Sequence, residues 1–478
     1  MWFNSFLFLL FLTVVLCVYP AIPGWRAKKR FLLACSYLFY ACWSPPFLLL
    51  LIASSTIDYT VGRALGRQSD EHLRRLLVAV SCSTNLGILA FFKYARFLID
   101  SYDSLVQGLG LSLLSLTPPA WISSIVLPIG ISFYTFHGLS YIVDVYNGRK
   151  TPVEDWVDFY LFVAFFPQLV AGPILRATQF MPQLVSPRRV TLEDWATGGE
   201  RIMIGLFQKM VMADNIAPLA NLVFDRPQAF TGAQQWVGVY AFAMQIYFDF
   251  AGYSNIAIGT ARLLGFRIPE NFNLPYLAVG FREFWRRWHI SLSTWLRDYL
   301  YIPLGGSRDG PWATRRNLLI TMFLGGLWHG ATWSFAVWGV LHGLFLTVEH
   351  AAAGLFDRLP PRVRENPLMQ LLGMAVTFHL TCLAWVFFRL STSITDAIGM
   401  CASLLKAGGW TMPASGFERI VYVQLGFLGY LIAWLHARRT AGASTSIPGW
   451  ARAVAAAIML YLVITGWGSS NEFIYFQF

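Results

Sequence analysis

Residues 317–348 read NLLITMFLGGLWHGATWSFAVWGVLHGLFLTV, thirty-two consecutive positions without an acid, a lysine or an arginine. As one straight helix at ~1.5 Å per residue the stretch is about 48 Å long, too long for an upright crossing of a ~30 Å hydrocarbon core. Two full spans need roughly 40 residues, so one crossing is overfilled and two are underfilled. A shallow or kinked helical hairpin meets both limits. Gly325, Gly326 and Gly330 are its weakest points for a bend. His329 then lies near the turn, well inside the bilayer, and is the feature of the stretch that packing alone does not require.

The rest of the chain has the same character. Of 478 residues 56% are hydrophobic and only 13% charged, against about 25% charged in soluble domains. Aromatic residues make up 16%, which excludes disorder and coiled coil. The reading is an all-α polytopic membrane protein with roughly 9–11 membrane-embedded helices and re-entrant elements around a cytoplasmic funnel. It forms a single membrane domain over 1–478. The net charge of +11 fits the positive-inside bias of loops beside membrane spans better than nucleic-acid binding, and it also suits a phosphorylated substrate. The six cysteines form no CxxC pair, so neither a disulfide framework nor a zinc site is expected.

The expected path starts with an uncleaved span, Phe3 to Ile22, and a cytoplasmic loop at Arg26, Lys28, Lys29 and Arg30. Phe31 to Val61 is broken by Pro45-Pro46. Leu76 to Ile99 exits, and Trp121 to Tyr146 returns to Arg149 and Lys150. Phe159 to Leu175 is interrupted by Gly172-Pro173. Ile202 to Val223 and Trp236 to Leu264 cross next. Residues 266–316 hold eight arginines and four acids among eleven aromatics, the mixture of cytoplasmic helices lying in the membrane interface. Within them Phe281 to Leu296 reads as one helix, with Phe281, Phe284, Trp285, Trp288 and Trp295 on one stripe and Arg282, Arg286 and His289 opposite. Pro367 to Phe388, Arg419 to Leu435 and Trp450 to Trp467 complete the spans. Residues 468–478 form an outer tail.

An ionisable side chain at bilayer depth is costly and points to function. A neutral imidazole there serves either as a general base or as a hydrogen-bonded link between helices. His342 suits packing, and His350 beside Glu349 suits the surface. No HxxxH pair or His-carboxylate cluster occurs, so metal catalysis is not expected.

Several segments resemble the signatures of membrane-bound O-acyltransferases. They are LPIGISFYTF (127–136), FFPQLVAGP (165–173), FDFAGYS (248–254), EFWRRWHISLSTWLRD (283–298) and GGLWHG (325–330). The resemblance runs nearly the whole chain and is closest to the bacterial alginate O-acetyltransferase branch. It implies transfer of acetyl from cytoplasmic acetyl-CoA towards an exported polysaccharide such as alginate, in the bacterial inner membrane. It also implies partners: a periplasmic O-acetyltransferase and a polysaccharide synthesis and export complex, with membrane lipid around the chain. The family's essential histidine matches His329, and its second polar motif matches His289, either packed at a rim or touching the donor. Arg282, Arg286 and Arg287 are the candidates for donor phosphates. Asn255 stands where the family usually has Asp.

The ending FIYFQF (473–478) resembles a Phe-x-Tyr-x-x-Phe tail of this branch and of a partner in teichoic acid D-alanylation, where the tyrosine is held to carry the acyl group. A phenol ester is a reactive acyl donor because phenol has a pKa of ~10. Tyr475 is thus the candidate carrier, against an aromatic belt anchoring the last helix. The rival class is a transporter or scaffold subunit of an export complex that breaks no bond.

Overall fold

The computed structural model describes residues 1–111, 114–116, 119–123, 125–186, 189–358, 360–406, 408–409, 412, 414–439, 449–466 and 473. Among them there is helix and loop but no strand. Pro45–Arg67, Glu71–Gly108, Trp333–Phe356 and Pro367–Arg389 are long and apolar enough to cross a membrane. Shorter apolar helices occupy Phe6–Ala21, Trp156–Leu169 and Gly449–Thr465. The chain is an all-α polytopic membrane protein. It divides into two compact units, Met1–Ala196 with Thr260–Pro269, and Thr197–Gly259 with Glu270–Phe478.

The first unit is built around α1 (Pro45–Arg67), α2 (Glu71–Leu89) and α3 (Ile131–Tyr146). The stretch Phe31 to Val61 is broken where expected: one helix ends at Ala41 and α1 starts at Pro45-Pro46, at the first positions, where a missing N–H costs nothing. Asp70 caps α2 by accepting hydrogen bonds from the His72 and Leu73 amides at 2.7 and 3.2 Å. The helix therefore begins at Glu71, before the apolar run itself. Trp121 to Tyr146 is not one span. Gly130, at φ 77°, delays α3 to Ile131, and a Cβ there would stand 2.6 Å from the Leu169 carbonyl oxygen.

Charge is buried in this unit. The Asp58 carboxylate of α1 accepts from Ser81 Oγ at 2.6 Å and Asn85 Nδ2 at 2.7 Å. Lys29 is not a loop residue. It lies on the helix Trp25–Ala41, 5% exposed, and forms ion pairs with Asp155 and Asp158. An ammonium can leave water when two carboxylates replace its hydration.

The second unit contains most of α4 (Gly232–Leu263), then α5 (Phe281–Arg287), α6 (Ile290–Leu296), α7 (Gly310–His329), α8 (Trp333–Asp357) and α9 (Pro367–Arg389). The expected helix over Phe281–Leu296 is thus two short ones. The stretch 317–348 belongs to two longer helices separated at Gly330–Thr332. Gly325 and Gly326 do not bend; they stay helical. A Cβ on Gly326 would sit 2.3 Å from the Phe335 carbonyl oxygen and 3.0 Å from Gly339 Cα. Gly326 and Gly339 let α7 and α8 meet backbone to backbone.

A second buried charge cluster lies in this unit. Lys209 Nζ is 2.9 Å from Asp214 Oδ1 and 2.7 Å from Asp249 Oδ1, all three nearly inaccessible. Lys209 lies in a π-helical turn, Phe207–Ala213, that interrupts the expected span Ile202–Val223.

Candidate active site

His329 is the last residue of α7 and 7% exposed. Its ring is walled by Trp328 and Trp338, each 5.0 Å away between ring centres, and by Phe388 of α9 at 5.3 Å. Gly330 has to follow it, because a Cβ there would overlap the Phe335 ring at 2.1 Å. Thr332 then caps α8, its Oγ1 accepting from the Phe335 amide at 3.5 Å. The helix ends where the histidine is needed, and the turn is too tight for a side chain.

His289 joins it. The link between α5 and α6 puts His289 at φ 42°, a left-handed conformation that costs a residue with a Cβ roughly 1–2 kcal/mol. This turn swings the side chain away from Arg282 and Arg286 and buries it completely. His289 is therefore not part of a wet face, as a continuous helix would have it. Burial pushes its imidazole down to about 3, so it is neutral. Its ring lies 6.4 Å from that of His329, 6.0 Å from Trp328 and 4.7 Å from Phe250 of α4.

Residues 271–273 clamp the turn. The Ile290 amide donates to the Asn271 carbonyl and the Asn273 amide to the Arg287 carbonyl, both at 2.9 Å. Asn271 Oδ1 is 3.1 Å from His289 Nδ1, and it accepts from the Ser291 amide and hydroxyl at 3.3 and 2.9 Å.

The candidate donor residues separate. Arg282 and Arg286 line a cavity of about 530 Å³ with Trp285, Arg297, Glu349 and His350. Arg287 does not line it; its guanidinium holds Glu283 at 2.6 Å and the Asn273 carbonyl at 3.2 Å. Glu349 of α8 accepts from the Phe281 and Arg282 amides, pinning the start of α5 at the cavity. His342 is fully buried among Trp285, Trp338 and Phe284. Among the described residues no group of three His, Cys, Asp or Glu side chains is placed to hold a metal.

Asn255 accepts from Arg201 at 2.7 Å and donates to Gln208 at 2.7 Å. It lines a separate polar cavity of about 240 Å³ with Ser254 and Asn271. Tyr475 lies outside the described residues. Phe473, two positions earlier, is 3% exposed, stacked on Tyr253 at 4.5 Å and 5.7 Å from Phe250.

Residues 135–393 match the profile of MBOAT, the membrane-bound O-acyltransferase family. The chain belongs to that family. It is 42% identical to the probable alginate O-acetylase AlgI of Azotobacter vinelandii, over 89% of this chain and 82% of that protein. Identity to the protein of the same description in Pseudomonas aeruginosa is 42%, over 90% and 79%. A peptidoglycan O-acetyltransferase of Helicobacter pylori is 34% identical, over 80% and 74%.

This acyltransferase thus breaks and makes acyl bonds, which removes the passive transporter and the scaffold. Two polar features of its site, Arg297 and Asn271, were absent from the sequence reading, as was the Lys209 cluster elsewhere in the unit. Arg297 reaches the cavity across the α5–α6 break, which periodicity does not announce. Asn271 acts through a loop. The Lys209 cluster had a visible signal in three charges inside apolar runs.

Proposed function

We propose that the chain takes acetyl from cytoplasmic acetyl-CoA and passes it across the bacterial inner membrane for acetylation of an exported polysaccharide such as alginate. The relatives' descriptions support the acetyl group and the polymer. The observation that carries the covalent route is Phe473. It is buried against Phe250, whose ring packs on His289. Two further residues reach about 7 Å at ~3.3 Å each, so the tail's anchor is close enough for Tyr475 to meet the histidine pair.

In this reading acetyl-CoA enters from the cytoplasmic funnel, its phosphates drawn to Arg282 and Arg286, with Arg297 beside them. Arg287 is left to hold the α5 turn. Tyr475 Oη attacks the thioester carbonyl, and His329 takes the phenolic proton as general base. Collapse of the tetrahedral adduct breaks the C–S bond. The thiolate leaves and recovers the proton from His329, giving acetyl-Tyr475 and free coenzyme A. A periplasmic O-acetyltransferase then accepts the acetyl group for a sugar hydroxyl, and the phenol is regenerated.

The test is mass spectrometry of the C-terminal peptide after purified protein meets labelled acetyl-CoA, beside His329→Ala. Label on Tyr475 that vanishes in the variant, with the variant still folded in the membrane, is the expected result. Full transfer by His329→Ala sinks the base. Labelled product with an unlabelled Tyr475 removes the relay and points to direct transfer.

A further inference from the structure

The hydrogen bonds around Asn271 fix more than the shape of a turn. The Ser291 backbone N–H is a donor and nothing else, so the side-chain atom of Asn271 that faces it is the oxygen. The same oxygen meets His289 Nδ1 at 3.1 Å, so Nδ1 must carry a hydrogen. The Asn271 amide nitrogen is turned the other way, donating to Ser254 Oγ at 3.1 Å, which agrees with that orientation. The ring is buried completely in an aromatic wall and is neutral. A neutral imidazole has one hydrogen, so Nε2 is the lone-pair nitrogen.

We infer that Asn271 is a positioning residue. It locks His289 in the Nδ1–H tautomer, so that His289 enters the reaction as a hydrogen-bond acceptor at Nε2. The inference rests on the acyl-transfer reading for its functional half, but the tautomer stands on the hydrogen bonds to Asn271 and the complete burial of the ring. Its chemical consequence is sharp. An oxyanion formed from the thioester carbonyl needs a donor, and a lone pair repels it. His289 is therefore excluded as the oxyanion's partner; its Nε2 accepts the nucleophile's one hydroxyl hydrogen in the resting complex and so orients the oxygen, and the O–H turns to His329, which takes that proton as the attack begins.

The left-handed turn at His289 and the three bonds to Asn271 Oδ1 serve one end. The strain of the turn delivers the ring, and the asparagine decides which nitrogen is basic. Second-shell control of this kind is the usual way a histidine's tautomer is chosen. Aspartate at 271 accepts the same three hydrogen bonds. Leucine accepts none.

The experiment is nitrogen NMR on full-length protein in lipid nanodiscs with labelled histidine, the His289 signal assigned by its loss in His289→Asn. The ring is read without donor first, then kcat and KM are measured with acetyl-CoA. The wild type should show a protonated Nδ1 and a bare Nε2. Asn271→Leu should lose that single tautomer, and kcat should fall by about 100-fold, the lower range of what a positioned proton-transfer partner is worth, with little change in KM. Asn271→Asp should keep the tautomer and recover most of kcat.

A wild-type ring protonated at Nε2 overturns the inference without any variant, whether or not Asn271→Leu folds. Retention of the Nδ1–H form in Asn271→Leu overturns it too, as does a lost tautomer with kcat intact. Failure of the acetyl-transfer reading is a different result. It appears as wild-type protein with the expected ring but no turnover of acetyl-CoA.

Discussion

At the scale of single residues, His329 was legible because an uncharged run of thirty-two positions leaves a titratable side chain nowhere to hide. His289 was legible as a motif and misplaced as a side chain. Its left-handed backbone is imposed by Asn271, eighteen positions away, and no local pattern carries that information. Gly330 shows the same dependence. It reads as a flexible point, yet its backbone is extended at φ −158°, and the glycine is there because Phe335 covers it. Phe335 is itself 1% exposed, so it has little room to yield. Gly330→Ala is expected to destabilise the fold by about 1–3 kcal/mol, the usual cost of overfilling a packed core. It should also reduce acetyl transfer, since the displaced turn begins at His329. Thermal unfolding in detergent together with turnover measures both. An alanine variant as stable and active as wild type would mean the ring moves aside freely.

At the scale of elements, hydropathy located most helices and misjudged where they end. Ends depend on caps and on tertiary partners: Asp70 extends α2 ahead of its apolar run, and Gly130 postpones α3. The α5–α6 break escaped because the aromatic stripe continues at helical spacing through it. Buried charge was the other blind spot. Lys209, Asp214 and Asp249 sit inside what reads as two apolar spans, and the last lies in the FDFAGYS segment. The structure gives that aspartate a structural duty, binding the π turn Phe207–Ala213 to α4. Lys209→Met leaves two buried carboxylates without their ammonium. Removing one partner from a buried pair costs about 3–5 kcal/mol, and the loss should appear as a lower unfolding temperature. Adding Asp249→Asn should restore part of it by removing one of the stranded charges. If the double variant is no more stable than the single one, packing rather than charge holds the turn.

At the scale of the whole molecule, composition was enough to place the chain in a membrane, and loop charge predicts a direction for it. The proposed relay needs that direction: a donor that meets arginines on the cytoplasmic side and a tail reached from outside. The count of basic residues alone is an imperfect guide, because Lys29 is neutralised inside the fold by Asp155 and Asp158. Arg149 and Gln107, in contrast, are both exposed; Gln107 follows the expected outward pass, Leu76 to Ile99, and Arg149 follows the expected return, Trp121 to Tyr146. Positive-inside asymmetry puts Arg149 in the cytoplasm and Gln107 outside. With the six native cysteines replaced, Gln107→Cys should react with a membrane-impermeant maleimide in cells whose outer barrier is opened. Arg149→Cys should react only after the inner membrane is breached. The reverse pattern would turn the chain over. Along the expected path it would also put residues 266–316 outside, away from cytoplasmic acetyl-CoA, and the proposed donor would then have to be something else.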